Sequence, residues 1–337
     1  MDVNQQAHKL RDLINRSRGS DPIRVAVVNA AQGVVLDTLS EAVELGIIEP
    51  TLIGESKAIR ELAASAGIRD TTERIIDVKG DAAAAAAGVS LIRDGKADVL
   101  MKGLIHTDVF LRAVLDSEHG LRLPGRRVSH AFLCDIPSYS KFLVITDAAI
   151  NIAPNLNAKA QILQNAIELC QLLGIETPKA AVLSAVETVN PEIPSTLDAA
   201  ALTMMAQRGQ IHGAIVDGPL AFDNAISLMA ATEKGIASKV AGQSDILLTP
   251  DLVSGNVLAK TLEYLAGAVA AGVVLGLSAP VILSSRSDPA SGRLAALALA
   301  ALIHSQTQKT KRPIASLVEA SLQPAPQPES ACCPLPE

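Results

Sequence analysis

The sequence predicts an α/β protein whose parallel sheets are doubly wound, with helices on both faces. A short β-branched run, a polar loop and an amphipathic helix recur along the chain, and this alternation is typical of parallel strands joined by helical crossovers. Aromatic residues make up only 2% of the chain, while small and branched aliphatic residues abound, as tightly packed parallel strands require. The chain has 337 residues, more than one hydrophobic core usually holds, so we expect two domains.

The first half of the chain predicts four strands that alternate with helices. The first strand covers 24–29, and a helix over 34–45 ends at Gly46, as a C-terminal glycine cap predicts. Further elements follow the same pattern: strands at 51–54, 73–77 and 98–101, a helix over 82–87, and a helix over 108–115 that Thr107 caps.

A hairpin interrupts the alternation near the middle of the chain. Strands over 129–133 and 142–145 are separated only by a loop that contains Pro137, which predicts an antiparallel pair. We expect a domain boundary there. The alternation then resumes with a helix that begins at a capping box over 195–198, and with strands at 180–183, 213–216, 245–248 and 281–283.

Residues 264–283 contain no charged side chain, and the stretch is long enough to cross a bilayer. Ser278 and Pro280 interrupt it, and its Ala and Gly content favours a buried helix followed by a buried strand. We therefore predict no membrane association.

Composition and charge predict a cytoplasmic protein that does not bind nucleic acid. The net charge is −6, and no run of Lys and Arg interleaves with aromatic residues. The four cysteines have no metal-ligand spacing and indicate free thiols in a reducing compartment. The polar N-terminal segment lacks the apolar core of a signal peptide. Residues 323–337 are rich in proline and predict a disordered tail.

The most informative segment joins the last predicted strand to a helix. Residues 280–283 are apolar, and the chain then runs through Ser285, Arg286 and Asp288 to Pro289, which opens the helix. A helix N-terminus favours anions, and an arginine beside it can hold a phosphate or a carboxylate through two hydrogen bonds. Two interpretations of Asp288 remain: an N-cap with Pro289 at the first helical position, or a group of the site.

Other polar residues follow strands at the edge of the sheet where ligands bind in parallel α/β proteins. Lys102 and His106 come after the strand at 98–101. Lys102 is either an anion-binding cation or a solvated surface lysine, and His106 either donates to an oxyanion or has a structural role. Residues 146–155, after the hairpin, contain Thr, Asp and Asn side chains that suit either a site or a plain turn.

Motifs for metals, nucleotides and serine hydrolysis are absent from the sequence. The Asp residues are scattered and no pair of His residues has ligand spacing, so no metal is predicted. No G-x-G-x-x-G follows the first strand, no G-x-x-x-x-G-K-[ST] occurs, and the G-x-S-x-G elbow is missing. These three classes of site are therefore set aside.

The loops described above resemble those of the phosphate acetyltransferase/phosphate butyryltransferase family, and most closely its butyryl-type branch. The matching segments follow the family order from about residue 20 to residue 305. They are 100–107 (LMKGLIHT), 129–130 (SH), 145–154 (ITDAAINIAP), 217–220 with 223–225, and 285–288 (SRSD). Several of these segments are long enough to be specific.

The resemblance implies two α/β domains with a cleft between them, a fold related to the isocitrate and isopropylmalate dehydrogenases, and a homodimer. It also implies that the C-terminal helices return to the first domain. The first domain then comprises residues 1–128 and 286–322, and the second comprises residues 129–285.

The reaction that the resemblance implies is reversible: acyl-CoA and phosphate give acyl phosphate and CoA, with acetyl or butyryl as the acyl group. CoA is a substrate, and no cofactor is implied. The matching segments assign catalysis to Ser285, Arg286 and Asp288. They assign the binding of phosphate and CoA to Lys102, His106, Thr107, Ser129, His130, Thr146, Asp147 and Asn151.

Alternatives remain for the base and for the activity. In acetyl-type members the base is an Asp several residues after the Ser-Arg pair, a position that falls near Gly292 here, whereas Asp288 lies closer. Asp147 is the second candidate. A metal-dependent hydroxyacid dehydrogenase would share the fold, and a non-catalytic anion-binding protein would use the same helix N-terminus.

Overall fold

One mixed β-sheet runs through the protein. Its structure is a computed structural model that describes residues 3–18, 21–65, 74–285 and 288–309. The strands of these residues, in chain order, are β1 (Ile23–Val28), β2 (Ile48–Gly54), β3 (Ile75–Asp77), β4 (Val99–Lys102), β5 (Ser129–Asp135), β6 (Leu143–Thr146), β7 (Lys179–Leu183), β8 (Ile215–Leu220), β9 (Ile246–Leu248), β10 (Val269–Leu275) and β11 (Val281–Ile282). The helices are α1 (Val3–Ser17), α2 (Gly33–Glu44), α3 (Ser56–Ser65), α4 (Asp81–Arg93), α5 (Thr107–Val114), α6 (Leu156–Leu172), α7 (Pro194–Gln207), α8 (Phe222–Ile226), α9 (Leu228–Glu233), α10 (Leu252–Leu265) and α11 (Ala290–Lys309).

The order of the strands across the sheet is β3-β2-β1-β4-β11-β10-β5-β6-β9-β7-β8. Neighbouring strands are parallel except in the centre, where β10 is antiparallel to β11 and to β5, and β5 is antiparallel to β6. The predicted hairpin is the pair of β5 and β6, so that prediction is confirmed. The α/β class is also confirmed, but the sheet is mixed rather than purely parallel.

The prediction for residues 264–283 is wrong in its first half. The expected buried helix is instead β10, which pairs with β5 from Val269 opposite Asp135 to Leu275 opposite Ser129. The interior of β10 is buried on both faces, and periodicity cannot separate such a strand from a buried helix. The expected strand at the end of the stretch is β11. Among the described helices, none has both the length and the apolar character needed to cross a membrane.

Helix α11 is buried on every side along its middle twelve residues. All residues from 292 to 303 are buried, and the helix packs against α1, α2 and β10. The buried stretch is mostly Ala and Leu and has no polar face, which is typical of a core helix. Its single charged residue is Arg293, in the first turn, next to the loop that follows β11.

Helix ends differ slightly from the predictions. The cap at Gly46 is confirmed, with a φ of 70°. Helix α5 begins at Thr107, so His106 occupies the N-cap position that was predicted for Thr107. Helix α7 begins at Pro194, so Ser195 is already helical and forms no capping box. Proline has no N–H to satisfy in the first turn, and the helix therefore starts earlier than the capping pattern indicated.

The hairpin that was predicted to mark a domain boundary lies in the middle of the sheet. Strand β11 comes late in the chain, yet it pairs with β4 on one side and with β10 on the other. The division into residues 1–128 with 286–322 and residues 129–285 stays a prediction. Residues 310–337 lie outside the described residues, and so does the predicted tail.

Gly103 lies where the ends of β4 and β1 come so close together that no side chain would fit. It follows β4 and donates its N–H to Val28 O at 2.8 Å, and an added Cβ would lie 2.4 Å from Asn29 O. We expect Gly103→Ala to lower the free energy of unfolding by about 2 to 3 kcal/mol, because the opposing atoms belong to the backbone and cannot rotate away. Urea denaturation measures this change.

Gly33→Ala is the matched control. Gly33 begins α2, and no other part of the described chain comes within 4 Å of an added Cβ. The free energy of unfolding should stay the same or rise by about 0.5 to 1 kcal/mol, because alanine favours the helix. Equal losses of stability in the two variants would contradict the packing argument for Gly103.

Candidate active site

An open cleft of about 340 Å³ lies where the chain leaves β4 and β11. The loops after these two parallel strands form one wall, and β5 with α10 forms the other. Residues that follow neighbouring parallel strands are expected to meet at one edge of a sheet. Five of the predicted site residues line the cleft, namely Lys102, His106, Thr107, His130 and Ser285. We call this the catalytic cleft below, and the roles of its residues stay predictions.

The loop after β11 is held by the buried side chain of Arg293. Its Nη1 donates to Ser284 Oγ at 2.8 Å, its Nη2 to Ser285 O at 2.8 Å, and its Nε to Asp288 O at 3.3 Å. Burial lowers the pKa of the Arg293 guanidinium, and the charge of Asp288 opposes this effect. Arg286 lies outside the described residues, so its predicted role remains a prediction.

Lys102 is buried at the floor of the catalytic cleft, with only 2% of its surface exposed. Its Nζ donates to Gly103 O and Ser284 O, both at 3.4 Å, and Ser284 Oγ donates to Lys102 O at 3.3 Å. The alternative that Lys102 is a solvated surface lysine is therefore wrong. A buried ammonium at the floor of a cleft attracts an anion, because the surrounding medium screens its charge poorly.

Asp288 is bonded both to its own loop and to α10. Its Oδ2 accepts from Ser285 N at 2.6 Å, and its Oδ1 lies 3.3 Å from Lys260 Nζ. The amides of residues 292 and 293 both donate to Pro289 O, so Pro289 provides the first helical acceptor. The N-cap interpretation of Asp288 is therefore wrong by one residue.

Lys260 is a cation of the catalytic cleft that the sequence did not predict. It lies on α10 and pairs with Glu263 Oε2 at 2.9 Å as well as with Asp288. Burial acts against its charge, but the hydrogen bonds and charges of the two carboxylates outweigh burial and raise the pKa of Lys260. No local pattern signals a contact with a residue 28 positions away. Arg293 was also missed, although a lone arginine inside an apolar helix is a signal.

The imidazole of His130 is buried against the catalytic cleft and is neutral. Burial lowers its pKa to about 4, although the charges of Asp147 and Asp288 act in the opposite direction. Neither Nδ1 nor Nε2 has a hydrogen-bond partner in the described part of the chain. The ring packs edge-on against Phe132, with 4.4 Å between the ring centroids. His130 therefore offers an uncharged donor and an uncharged acceptor to a ligand.

Asp147 organises the segment that closes one side of the catalytic cleft. Its Oδ1 accepts from the amides of Ala149 and Ile150, at 2.9 and 3.0 Å. Its Oδ2 accepts from His130 N at 3.2 Å and from Asn151 Nδ2 at 2.5 Å. The carboxylate is 3% exposed, and both of its oxygens accept hydrogen bonds: Oδ1 from the backbone of this segment, and Oδ2 from β5 and Asn151.

Three other predicted residues lie behind the catalytic cleft or beside it. Thr146 is fully buried and donates to His130 O at 2.9 Å. Ser129 Oγ accepts from Asn165 Nδ2 at 2.8 Å on the opposite side of β5 from His130, because successive side chains of a strand alternate. Asn151 lines a neighbouring cleft instead. The structure therefore does not bring these three side chains together with Lys102.

Known proteins with similar sequences point to one family. A family model described as "Phosphate acetyl/butaryl transferase" matches residues 78–301. The phosphate acetyltransferase of Rhizobium meliloti is 48% identical over 297 residues, which cover 88% of this chain and 94% of that protein. The phosphate butyryltransferase of Clostridium acetobutylicum is 40% identical over 292 residues, which cover 87% of this chain and 97% of that protein.

Solved structures with similar folds include two phosphotransacylases. The branched-chain phosphotransacylase from Enterococcus faecalis V583 has a TM-score of 0.73 and 32% identity, and the match covers 84% of this chain and 99% of that one. A phosphotransacetylase from Streptococcus pyogenes has a TM-score of 0.74 and 25% identity, covering 91% of this chain and 100% of that one. The family resemblance predicted from the loops is confirmed: the chain belongs to the phosphate acetyl/butyryl transferase family.

Proposed function

We propose that the protein is a phosphate acyltransferase that moves a short acyl group, acetyl or butyryl, between CoA and inorganic phosphate. One observation carries the proposal: in this member of the family, a buried lysine, a neutral histidine and the loop that leads into α11 line the same cleft. The reaction is reversible, with acyl-CoA and phosphate giving acyl phosphate and CoA.

The chemistry is a direct displacement at the carbonyl carbon. Toward acyl phosphate, a phosphate oxygen attacks the thioester, the C–O bond forms, and the C–S bond breaks. The sulfur leaves as a thiolate and takes a proton to become free CoA. In the reverse direction the CoA thiol gives that proton to a base, and its sulfur displaces phosphate. Both directions pass through a tetrahedral oxyanion, which preorganised donors stabilise.

Different residues of the catalytic cleft bind the phosphate and stabilise the oxyanion. Lys102 and Arg286 neutralise the phosphate, which is the nucleophile in one direction and the leaving group in the other. His106 and Thr107 stand at the start of α5, where free amides favour an anion. The Ser285 hydroxyl and the His130 N–H donate hydrogen bonds to the oxyanion. Because the imidazole is neutral, it does not disturb the pairing of the phosphate with its cations.

Asp288 is the base in this proposal. It stands beside Ser285 at the edge of the catalytic cleft, and Lys260 fixes its orientation. A carboxylate near the sulfur raises the fraction of CoA that is thiolate at neutral pH. Asp147 suits the role less well, because both of its oxygens are already engaged by backbone amides and Asn151.

The finer architecture in this proposal is the one that the family resemblance implies. It comprises two domains, a fold related to the isocitrate and isopropylmalate dehydrogenases, and a homodimer that uses CoA as a substrate without a resident cofactor. The reversal of strand direction at β10 and β5 supports the two domains, because it separates one set of parallel strands from another.

Release of free thiol tests the activity. Purified protein is mixed with acetyl-CoA or butyryl-CoA and phosphate, and the thiol is followed with a chromogenic reagent. We expect release that requires phosphate and no added metal. A hydroxyacid dehydrogenase would instead need a metal and a nicotinamide, and an anion-binding protein would bind phosphate without releasing thiol. Either of these two results would overturn the proposal.

Asp288→Asn tests the base. We expect turnover to fall about 10²–10⁴-fold, with a partial recovery at high pH as the thiol ionises unaided. The amide keeps the size of the carboxylate and an oxygen for Ser285 N, so the melting temperature should change little. Steady-state kinetics across pH measures the effect.

Asp223→Asn is the control for this change. Asp223 forms a comparable ion pair with Lys234, at 2.9 Å, and lies on α8, which contributes no residue to the lining of the catalytic cleft. Its turnover should match that of the wild type. Near-normal turnover in Asp288→Asn together with a collapse in Asp147→Asn would move the base to Asp147.

His130→Gln tests the neutral imidazole through stability. The pKa of His130 falls from 6.5 to about 4 on folding. Between these values the unfolded chain binds a proton that the folded protein excludes, so the wild type loses stability as the pH falls through this window. Across this window, the decrease in the free energy of unfolding should be on the order of 3 kcal/mol larger for the wild type than for the variant.

Urea denaturation at several pH values from 7 to 4 measures this difference. His119→Gln is the matched control, because His119 is exposed, with 79% of its side chain accessible. Its stability curve should run parallel to that of the wild type. A parallel curve for His130→Gln as well would show that His130 is protonated in the folded protein.

A further inference from the structure

The wall of the catalytic cleft that β5 and α10 form is partly apolar. Phe132 on β5 and Leu252, the first residue of α10, both line the cleft. Lys102 and Ser285 belong to the ends of the strands across the cleft. The cleft therefore has a polar side that suits a phosphate and an apolar side that suits a hydrocarbon chain.

Phe132 and Leu252 are the large apolar side chains that offer surface to a ligand. Ile105, Leu283 and Ala148 also line the cleft, but all three are buried. Phe132 and Leu252 are half-buried, so part of each side chain remains accessible. An apolar chain bound in the cleft gains most by covering these two residues, because only exposed apolar surface can be removed from water.

The Phe132 ring stands directly beside the imidazole of His130. The two residues are separated by one position on β5, so their side chains lie on the same face of the strand. The ring centroids are 4.4 Å apart, and the ring planes meet at 71°. A thioester whose oxygen accepts a hydrogen bond from His130 thus has its carbonyl carbon, and the acyl chain attached to it, close to the aromatic ring.

Gly272 sets the position of both rings. It lies opposite Phe132 in the antiparallel pair of β10 and β5. An added Cβ at Gly272 would lie 3.2 Å from Phe132 Cε1 and 3.0 Å from His130 Nε2. A glycine inside a strand permits such a close approach. Because the rings already lie against the β10 backbone, the Phe132 ring cannot retreat in that direction when a ligand enters the cleft.

We propose that Phe132 is the end wall of the acyl subsite and limits the length of the acyl chain that the protein transfers. This inference rests on the proposed function. The phosphate takes the side of Lys102 and Ser285, the carbonyl oxygen faces His130, and the acyl chain then points at the Phe132 ring. A short chain ends before the ring, and a longer one meets it. An apolar pocket of this kind separates chains that differ by one methylene about 10- to 200-fold.

Phe132→Leu tests the proposal with acetyl-CoA, butyryl-CoA and hexanoyl-CoA. Leucine keeps the wall apolar but is shorter than phenylalanine. We expect the ratio of kcat/KM for hexanoyl-CoA to kcat/KM for acetyl-CoA to rise about tenfold above that of the wild type, with a smaller rise for butyryl-CoA. The ratio on one preparation does not depend on the concentration of folded enzyme, so a loss of stability cannot produce this result. An unchanged or lower ratio overturns the proposal.

Phe142→Leu is the matched control. Phe142 is also a half-buried phenylalanine, but it does not line the catalytic cleft, and its ring centroid lies 5.9 Å from Lys9 Nζ. The ratio for this variant should equal that of the wild type. A rise as large as that of Phe132→Leu would mean that any loosening of the apolar packing admits longer chains, and it would also overturn the proposal.

Binding of acyl-CoA in the absence of phosphate, measured by calorimetry, separates this inference from the proposed function. We expect the wild type to bind butyryl-CoA more tightly than hexanoyl-CoA, and Phe132→Leu to bind the two with similar affinity. Equal affinities in the wild type, or a difference that persists in the variant, overturn the inference even if phosphate-dependent thiol release is observed. A wild type that shows the expected difference in affinity but releases no thiol sinks the proposed function alone.

Discussion

The catalytic cleft depends on the buried guanidinium of Arg293. An arginine taken out of water is costly to the fold unless hydrogen bonds replace those of water. Arg293 obtains them from Ser284 Oγ, Ser285 O and Asp288 O, all on the loop after β11. Ser284 then donates to Lys102 O, which ties the loop to β4. The need to satisfy one buried charge thus fixes the main chain around two of the proposed catalytic residues.

The reversal of strand direction in the centre of the sheet has an equally direct consequence. Because β5 and β6 are antiparallel, the start of β5 lies beside the end of β6, and Ala131 is opposite Thr146. The turn out of β6 therefore passes next to His130, and the Asp147 carboxylate binds the His130 amide. In a purely parallel sheet the start of one strand and the end of its neighbour lie at opposite edges, so these two segments would not meet. The wall of the catalytic cleft at Ala148 and Ala149 exists because the hairpin does.

Much of this architecture follows from the sequence, and the exceptions have physical reasons. The alternation of strands and helices, the hairpin and the cap at Gly46 depend on local patterns, so they were predictable. Strand β10 was not, because a strand buried on both faces lacks the period that identifies it. Within the site, Lys102 and Ser285 line the same cleft because Lys102 ends β4 and Ser285 lies on the loop after the neighbouring parallel strand β11. Lys260 reaches Asp288 only through the docking of α10, which no local signal encodes.

Lys260 has two carboxylate partners, and this matters for the base in the proposed mechanism. Glu263 lies 2.9 Å from Lys260 Nζ and Asp288 lies 3.3 Å from it. In the proposed mechanism Asp288 takes a proton from the CoA thiol. Lys260 then still has Glu263 as its partner, so the step leaves no unpaired ammonium in a half-buried position. An isolated pair would resist that proton transfer, because losing its only partner leaves a partly desolvated charge uncompensated. In the proposed mechanism the second carboxylate therefore keeps the charge of Lys260 balanced while Asp288 acts as the base.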